Sequence, residues 1–256
     1  MKEFRLPAEW EEQSGVQLTW PHSETDWRHM LTEVQACFVK IAQAIAEKEI
    51  VLIVAPHQQE PNKQLIAGGV NMANVRFVEC PTNDTWARDH GAITMTNDKD
   101  SILYDFTFNG WGLKFPADLD NQITRNIFKA NMLHGKYTNQ HNFVLEGGSI
   151  DSDGKGSILT TANCLLSVNR NDSMDMSEIE DYLCNTFNLK RILWLEHGNL
   201  EGDDTDGHID TLARFCPNNT IVYEQCTDEH DSHYQDLKLM EEELKEFTAI
   251  DGKPYR

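Results

Sequence analysis

Residues 192–215 read ILWLEHGNLEGDDTDGHIDTLARF: an apolar strand, an acidic residue, a glycine-containing turn and a second apolar run. The same order recurs twice upstream, in FVECPTNDTWARDHGAITMT (77–96) and FVLEGGSIDSDGKGSILTT (143–161). Glu146-Gly-Gly-Ser-Ile lies 50 positions before Glu196-His-Gly-Asn-Leu, and the two pentads are alike. A unit recurring at that period points to pseudo-symmetric modules around a centre. The competing reading is chance likeness among α/β turns.

The flanking sequence supplies the elements such modules need. An apolar stripe at helical spacing covers Trp27–Glu49, and further helices fit 118–133, 175–188 and 231–247. Strand runs stand at 50–55, 75–79, 91–96, 101–108, 142–146, 156–161, 191–196, 208–215 and 220–226. Strands alternating with helices imply an α/β protein, and no Pro-, Gly- or Ser-rich linker divides the 256 residues. A single domain over 1–256 is expected.

Composition excludes several classes. A net charge of -20 argues against nucleic acid, whose phosphates need clustered Lys and Arg. The same charge favours a cationic small molecule, and it also serves plain solubility. The longest apolar run, Ile50–Ala55, is too short to span a bilayer, so no membrane role is expected. The charged start MKEFRLPAEWEEQ lacks a signal peptide's apolar core. Cysteines at 37, 80, 164, 184, 216 and 226 form no CxxC pair and read as reduced thiols of a cytoplasmic protein.

The acidic run at 201–210 needs a cation, a metal or ample water. Calcium fits poorly: aligning Gly207 to the loop glycine of an EF-hand puts Gly202 and Ala213 at the first and last ligand positions. Zinc lacks HExxH and finger spacings, although His197, His208 and Asp206 leave a metal hydrolase open. An organic cation is the third reading. A guanidinium presents five N–H donors in a fork that two carboxylates can grip. On a strand, His208 and Asp210 share one face, so one could hold such a cation while the other moves protons. Taken alone, the stretch equally reads as a solvated acidic loop entering a strand.

Three more motifs join it. TWARDHG (85–91) sets Trp86 and Asp89 in a turn. LEGGSID (145–151) ends a strand with Glu146 before two glycines. FNGWGLKF (108–115) is an aromatic, glycine-rich loop carrying Trp111 and suited to lining a small-molecule site. Each also has a plain structural reading as core or turn.

Together with LPAEWEEQSGVQLTWPH (6–22), these motifs resemble the agmatine deiminase and bacterial-type peptidylarginine deiminase family, nearly end to end. The resemblance implies the pseudo-symmetric α/β propeller of the pentein-type guanidine-modifying enzymes. It implies that Asp89 and Asp210 hold a substrate guanidinium and that His208 is the general acid/base. Glu146 would bind a guanidinium nitrogen or orient the reacting group, with Trp86 lining the pocket. No metal or organic cofactor is implied. The family's nucleophile is a cysteine in a G-G-x-x-H-C stretch, which does not occur among these residues. The expectation is therefore a C-terminally truncated deiminase domain, lacking its nucleophile and closing part, inactive alone and prone to self-association as a homo-oligomer. Agmatine is the expected substrate, converted to N-carbamoylputrescine and ammonia through a thiouronium intermediate. Arginine residues in protein are the alternative substrate, and a non-catalytic guanidinium-binding protein is the alternative class.

Overall fold

The computed structural model describes residues 3–97 and 99–256. Contacts gather these into two compact units, one of Glu12–Ala92 with Pro116–His134, the other of residues up to Glu11 with Ile93–Phe115 and Gly135–Arg256.

The first unit is a parallel sheet, β1 (Gly15–Thr19), β2 (Ile50–Ala55) and β3 (Val75–Glu79), in that spatial order. Helices α1 (Leu31–Ala46) and α2 (Gln59–Ala67) make the crossovers, and α3 (Ile123–Lys129) packs in the same unit. The middle strand reads IVLIVA because both its faces are covered. Val51, Ile53 and Ala55 join Trp20, Ala42, Ala46 and Leu65 in one core. Leu52 and Val54 join Val78, Ile123 and Ile127 in another. The alternation of odd and even residues is the pleat itself.

The second unit holds three sheets. β4 (Ile93–Thr96) and β5 (Ser101–Thr107) form an antiparallel hairpin, and β6 (Lys136–Val144) adds in parallel to β5. β7 (Asp151–Ser152) and β8 (Ser157–Thr161) repeat the hairpin, and after helix α4 (Met176–Phe187), β9 (Arg191–Leu195) adds in parallel to β8. β10 (Ala213–Cys216) and β11 (Thr220–Tyr223) form a third hairpin, followed by α5 (Tyr234–Glu246). Asp175 caps α4 in a reciprocal capping box with Glu178, which accounts for its sharp start. One core gathers Phe106, Phe143, Ile158 and Phe187. A second gathers Leu159, Leu195, Leu212, Phe215 and Met240.

The sequence echo has a topological meaning. Each copy spans the passage from the last strand of one sheet (β3, β6, β9) to the first strand of the next (β4, β7, β10). Each passage carries a short helical turn, Ala87–His90, Gly147–Ser149 and Ile209–Thr211.

Several boundaries move. The strand expected over 208–215 exists only as Ala213–Cys216, because Asp206 and Gly207 take left-handed φ of 64° and 84° and reverse the chain. Ile209–Thr211 then winds into a 3-10 turn. β6 begins at Lys136, not 142; its first residues, KYTNQH, are polar, with none buried. The helix expected over 118–133 is a 3-10 turn at Asp120–Gln122 running into α3. Among the described residues, no helix is long and apolar enough to cross a membrane.

Candidate active site

The acidic run finds its cations inside the chain. Asp203 spends its carboxylate on the loop itself. One oxygen accepts from the Thr205 N–H (2.8 Å) and hydroxyl (2.5 Å), the other from the Gly207 N–H (2.6 Å). The Thr205 hydroxyl oxygen in turn accepts from the His208 N–H at 3.0 Å. The Gly207 carbonyl takes the Thr161 hydroxyl from the end of β8 at 2.6 Å. Asp206 receives Lys114 Nζ on one oxygen (2.6 Å) and Arg170 Nη1 on the other (2.7 Å). Burial raises the Asp206 pKa, but these two cations outweigh it and hold the carboxyl below its usual range.

Arg170 is the hub. Its side chain is fully buried. Nε donates to both oxygens of Glu146 at 3.1 Å, and Nη2 donates to the Thr205 carbonyl at 2.9 Å. Glu146, 0% exposed at the start of the Gly147–Ser149 turn, is pushed up in pKa by burial while Arg170 pulls it down; the net direction is upward. Burial opposes the charge on Arg170, but Cys164, Glu146 and Asp206 outweigh it and raise its pKa.

Beside this pair stand two more buried groups. A carboxylate oxygen of Glu146, the thiol of Cys164 and a ring nitrogen of His208 all lie within 4.8 Å of one another. Cys164 belongs to the one-turn helix Ala162–Leu165 after β8, and its N–H donates to the Thr161 hydroxyl at 3.3 Å. His208 sits at the cap of the Ile209–Thr211 turn, which packs against the Gly147–Ser149 turn led by Glu146. These three donors are the group among the described residues that could hold a metal. Arg170 already donates to both oxygens of that Glu146 carboxylate. The alternative metal set fails on geometry: His197 Nδ1 pairs with Glu243 at 2.5 Å, and Asp206 is taken by Lys114 and Arg170.

Glu146 and His208 are thus brought together. Asp210 lies in the 3-10 turn, half-buried, so the expectation that it shares a strand face with His208 is overturned. The physical reason is the reversal at Asp206 and Gly207, which ends the extended run before His208. Trp111 is 8% exposed, its ring edge-on to Phe108 (5.0 Å) and Phe115 (5.5 Å). Its loop is left-handed at Gly110, Trp111, Gly112 and Leu113. A Cβ on Gly110 would stand 2.0 Å from the Phe115 carbonyl, so glycine is required there. Gly112 lies so close to Asp206 and Arg170 that its Cβ would meet them at 3.3 and 3.5 Å.

In the other unit, Asp89 is buried in the one-turn helix Ala87–His90, and Trp86 is 41% exposed. The Trp86 ring leans on Trp27 (centroids 5.8 Å apart), whose Nε1 donates to the Thr85 hydroxyl at 3.0 Å. These two tryptophans, with Asp26, Arg28 and His29, line an open hollow.

Sequence reasoning did not bring Arg170 or Lys114 to the acidic run. The signal was arithmetic: a dense acidic run needs cations.

Residues 5–256 match the Porphyromonas-type peptidyl-arginine deiminase family. The chain belongs to that family. It is 35% identical over 256 residues to the agmatine deiminase of Pseudomonas aeruginosa, covering 98% of this chain and 68% of that one. A solved structure of a cysteine-to-serine variant of the C. jejuni agmatine deiminase, with substrate bound, matches at 42% identity and TM-score 0.87. That match covers 95% of this chain and 71% of that one. The agmatine deiminase of Enterococcus faecalis matches at 31% identity and TM-score 0.88, over 99% of this chain and 69% of that one. The family member described here therefore spans about two thirds of the length of these relatives, and it has the α/β pentein-type fold expected from its motifs.

Proposed function

We propose that this chain serves the hydrolysis of a guanidinium C–N bond, with agmatine as substrate and N-carbamoylputrescine and ammonia as products. The observation that carries the reading is the buried meeting of Glu146, His208 and Cys164 in a chain of this family. Glu146, its carboxylate oriented by Arg170, accepts an N–H of the substrate guanidinium. A cysteine thiolate adds to the guanidinium carbon. The C–N bond breaks, and ammonia leaves with a proton from His208. Water, deprotonated by His208, then attacks the same carbon, breaks the C–S bond and restores the thiol. Asp210 is the second carboxylate for the cation. Asp89, with Trp86, carries the same proposal from the likeness of its motif, as does Trp111 from its aromatic loop. No metal or organic cofactor enters this scheme. The charge of -20 suits a small dication, concentrating it near the protein.

The context of Cys164, TANCLL, is not the family's G-G-x-x-H-C. We therefore assign it the floor of the site rather than the attacking thiol. The deciding assay offers agmatine, free arginine and an arginine peptide to the full-length protein and follows ammonia release. Preference for agmatine by about two orders of magnitude in kcat/KM is expected, the scale a charge-reading site achieves. Preference for the peptide would reassign the substrate to protein arginine. Agmatine binding without turnover, lost in Asp210→Ala, would make the protein a guanidinium binder.

A further inference from the structure

We propose that Arg170 is a positioning residue of this site: its guanidinium locks the Glu146 carboxylate and the loop that presents His208 into one arrangement. The inference rests on the deiminase reading above and deepens it. Four hydrogen bonds leave one fully buried side chain, and they end on two segments far apart in sequence. Nε reaches both Glu146 oxygens at 3.1 Å, 24 residues upstream. Nη1 and Nη2 reach Asp206 (2.7 Å) and the Thr205 carbonyl (2.9 Å), 36 and 35 residues downstream.

A guanidinium is planar and its donors diverge at fixed angles. Gripping both segments with one plane therefore fixes where the carboxylate lies relative to Thr205 and Asp206. Thr205 in turn receives the His208 N–H, so the plane of Arg170 sets the path into His208. From the far side Lys114 holds Asp206 and the Asp204 carbonyl, so the loop cannot swing away with Arg170 in place. A role confined to neutralising a buried carboxylate would need one contact. The fork with three separate acceptors is the geometry of alignment.

The two roles separate by substitution in the full-length protein. Arg170→Lys keeps the charge and loses the fork; Arg170→Gln loses both. We measure kcat per titrated active site, KM for agmatine and the melting temperature. Misplacing a reacting group by about an ångström costs on the order of 100-fold in rate, so Arg170→Gln is expected to lose about that in kcat. KM should move less than about threefold, and Arg170→Lys should recover no more than a small part of the loss. Wild-type kcat in Arg170→Lys would overturn the proposal and leave charge neutralisation. So would kcat within about threefold of wild type in a folded Arg170→Gln protein. Should Arg170→Gln fail to fold, the Arg170→Lys result decides alone. A wild-type protein without turnover removes the deiminase reading and this proposal together. That outcome is distinct from active wild type with indifferent variants, which removes the proposal only.

Discussion

Glu146 and Glu196 occupy equivalent places in two copies of one motif, each after a leucine at or one residue past the end of a parallel strand and each before a turn into the next sheet. Their fates differ. Glu146 is fully buried and receives Arg170 on both oxygens. Glu196 is exposed, and what meets its turn is a carboxylate: Glu243 of α5 accepts from the Glu196 N–H (3.0 Å), the His197 N–H (3.4 Å) and His197 Nδ1 (2.5 Å). The hydrogen bond that His197 donates to Glu243 raises the His197 pKa, outweighing the opposing effect of burial. The repeat fixes the path of the chain. The chemistry at each passage is fixed by the group that another segment delivers, a cation in one copy and an anion in the other.

The largest effect expected from breaking this contrast is at Glu146. Glu146→Ala in the full-length protein removes the carboxylate proposed to hold the substrate and should lower kcat/KM by about 1000-fold or more, the scale of losing a preorganised charged contact. It also strands a buried guanidinium with one carboxylate. Breaking a buried pair from one side costs about 3–5 kcal/mol, so chemical denaturation should show a loss of that order. Unchanged activity in a folded Glu146→Ala protein would make the two glutamates equivalent and end the comparison.

The third copy, TWARDHG, sharpens the contrast by burying a histidine. His90 is 4% exposed, and burial lowers its pKa from 6.5 to about 4. Its Nε2 lies 3.4 Å from the Thr19 hydroxyl. The folded pKa is depressed for a cationic acid, so the unfolded chain binds the proton first. This contribution is fully present above about pH 6.5 and is lost as pH falls toward 4. At 1.36 kcal/mol per pKa unit the loss approaches about 3 kcal/mol. Asp120 in the same unit works oppositely: burial raises its pKa from 3.8 to about 7, so it favours folding as pH falls through that range. The difference between wild type and His90→Gln isolates the histidine. The penalty of the substitution at pH 7 should shrink by about 2–3 kcal/mol at pH 4.5. A penalty independent of pH would show that His90 titrates normally.

The sequence made legible what local pattern controls. β2, β3 and the core of β9 stand where apolar runs between breakers put them, and β2, covered on both faces, has no polar alternation to confuse it. Glu146 and His208, which the structure brings within 4.8 Å, drew attention because each lies in a contiguous motif. Arg170 was not: it lies in SVNRNDS, an unremarkable polar turn, and its side-chain hydrogen bonds run to residues 24 to 36 positions away. The strand misread over 208–215 has the same origin. Ile209, Leu212 and Phe215 are buried apolar residues, as the apolar run implied, but the reversal before them depends on Asp203 holding Thr205 and Gly207.

Cys164, one turn past the copy that carries Glu146, tests whether that region carries the reaction or only shapes it. With the thiol assigned to the floor of the site, Cys164→Ser changes one buried atom and should lower kcat of the full-length protein by no more than about tenfold, a cost of about 1.4 kcal/mol. Loss beyond about 1000-fold, with agmatine still bound, would make Cys164 the nucleophile, since a serine hydroxyl lacks the thiolate's reactivity.

The smallest effect should come from the exposed copy. The Glu196 backbone N–H donates to Glu243, a contact that glutamine keeps. Glu196→Gln should therefore leave kcat/KM within about twofold and stability within about 0.5 kcal/mol, as for surface substitutions generally. The companion change Glu243→Gln should cost more. It weakens the acceptor of two backbone N–H groups and removes the charge opposite His197, so the His197 pKa should fall toward its ordinary value in an NMR titration. An activity loss in Glu196→Gln comparable to that of Glu146→Ala would show that the two passages share one chemistry. The distinction between path and delivered partner would then fail.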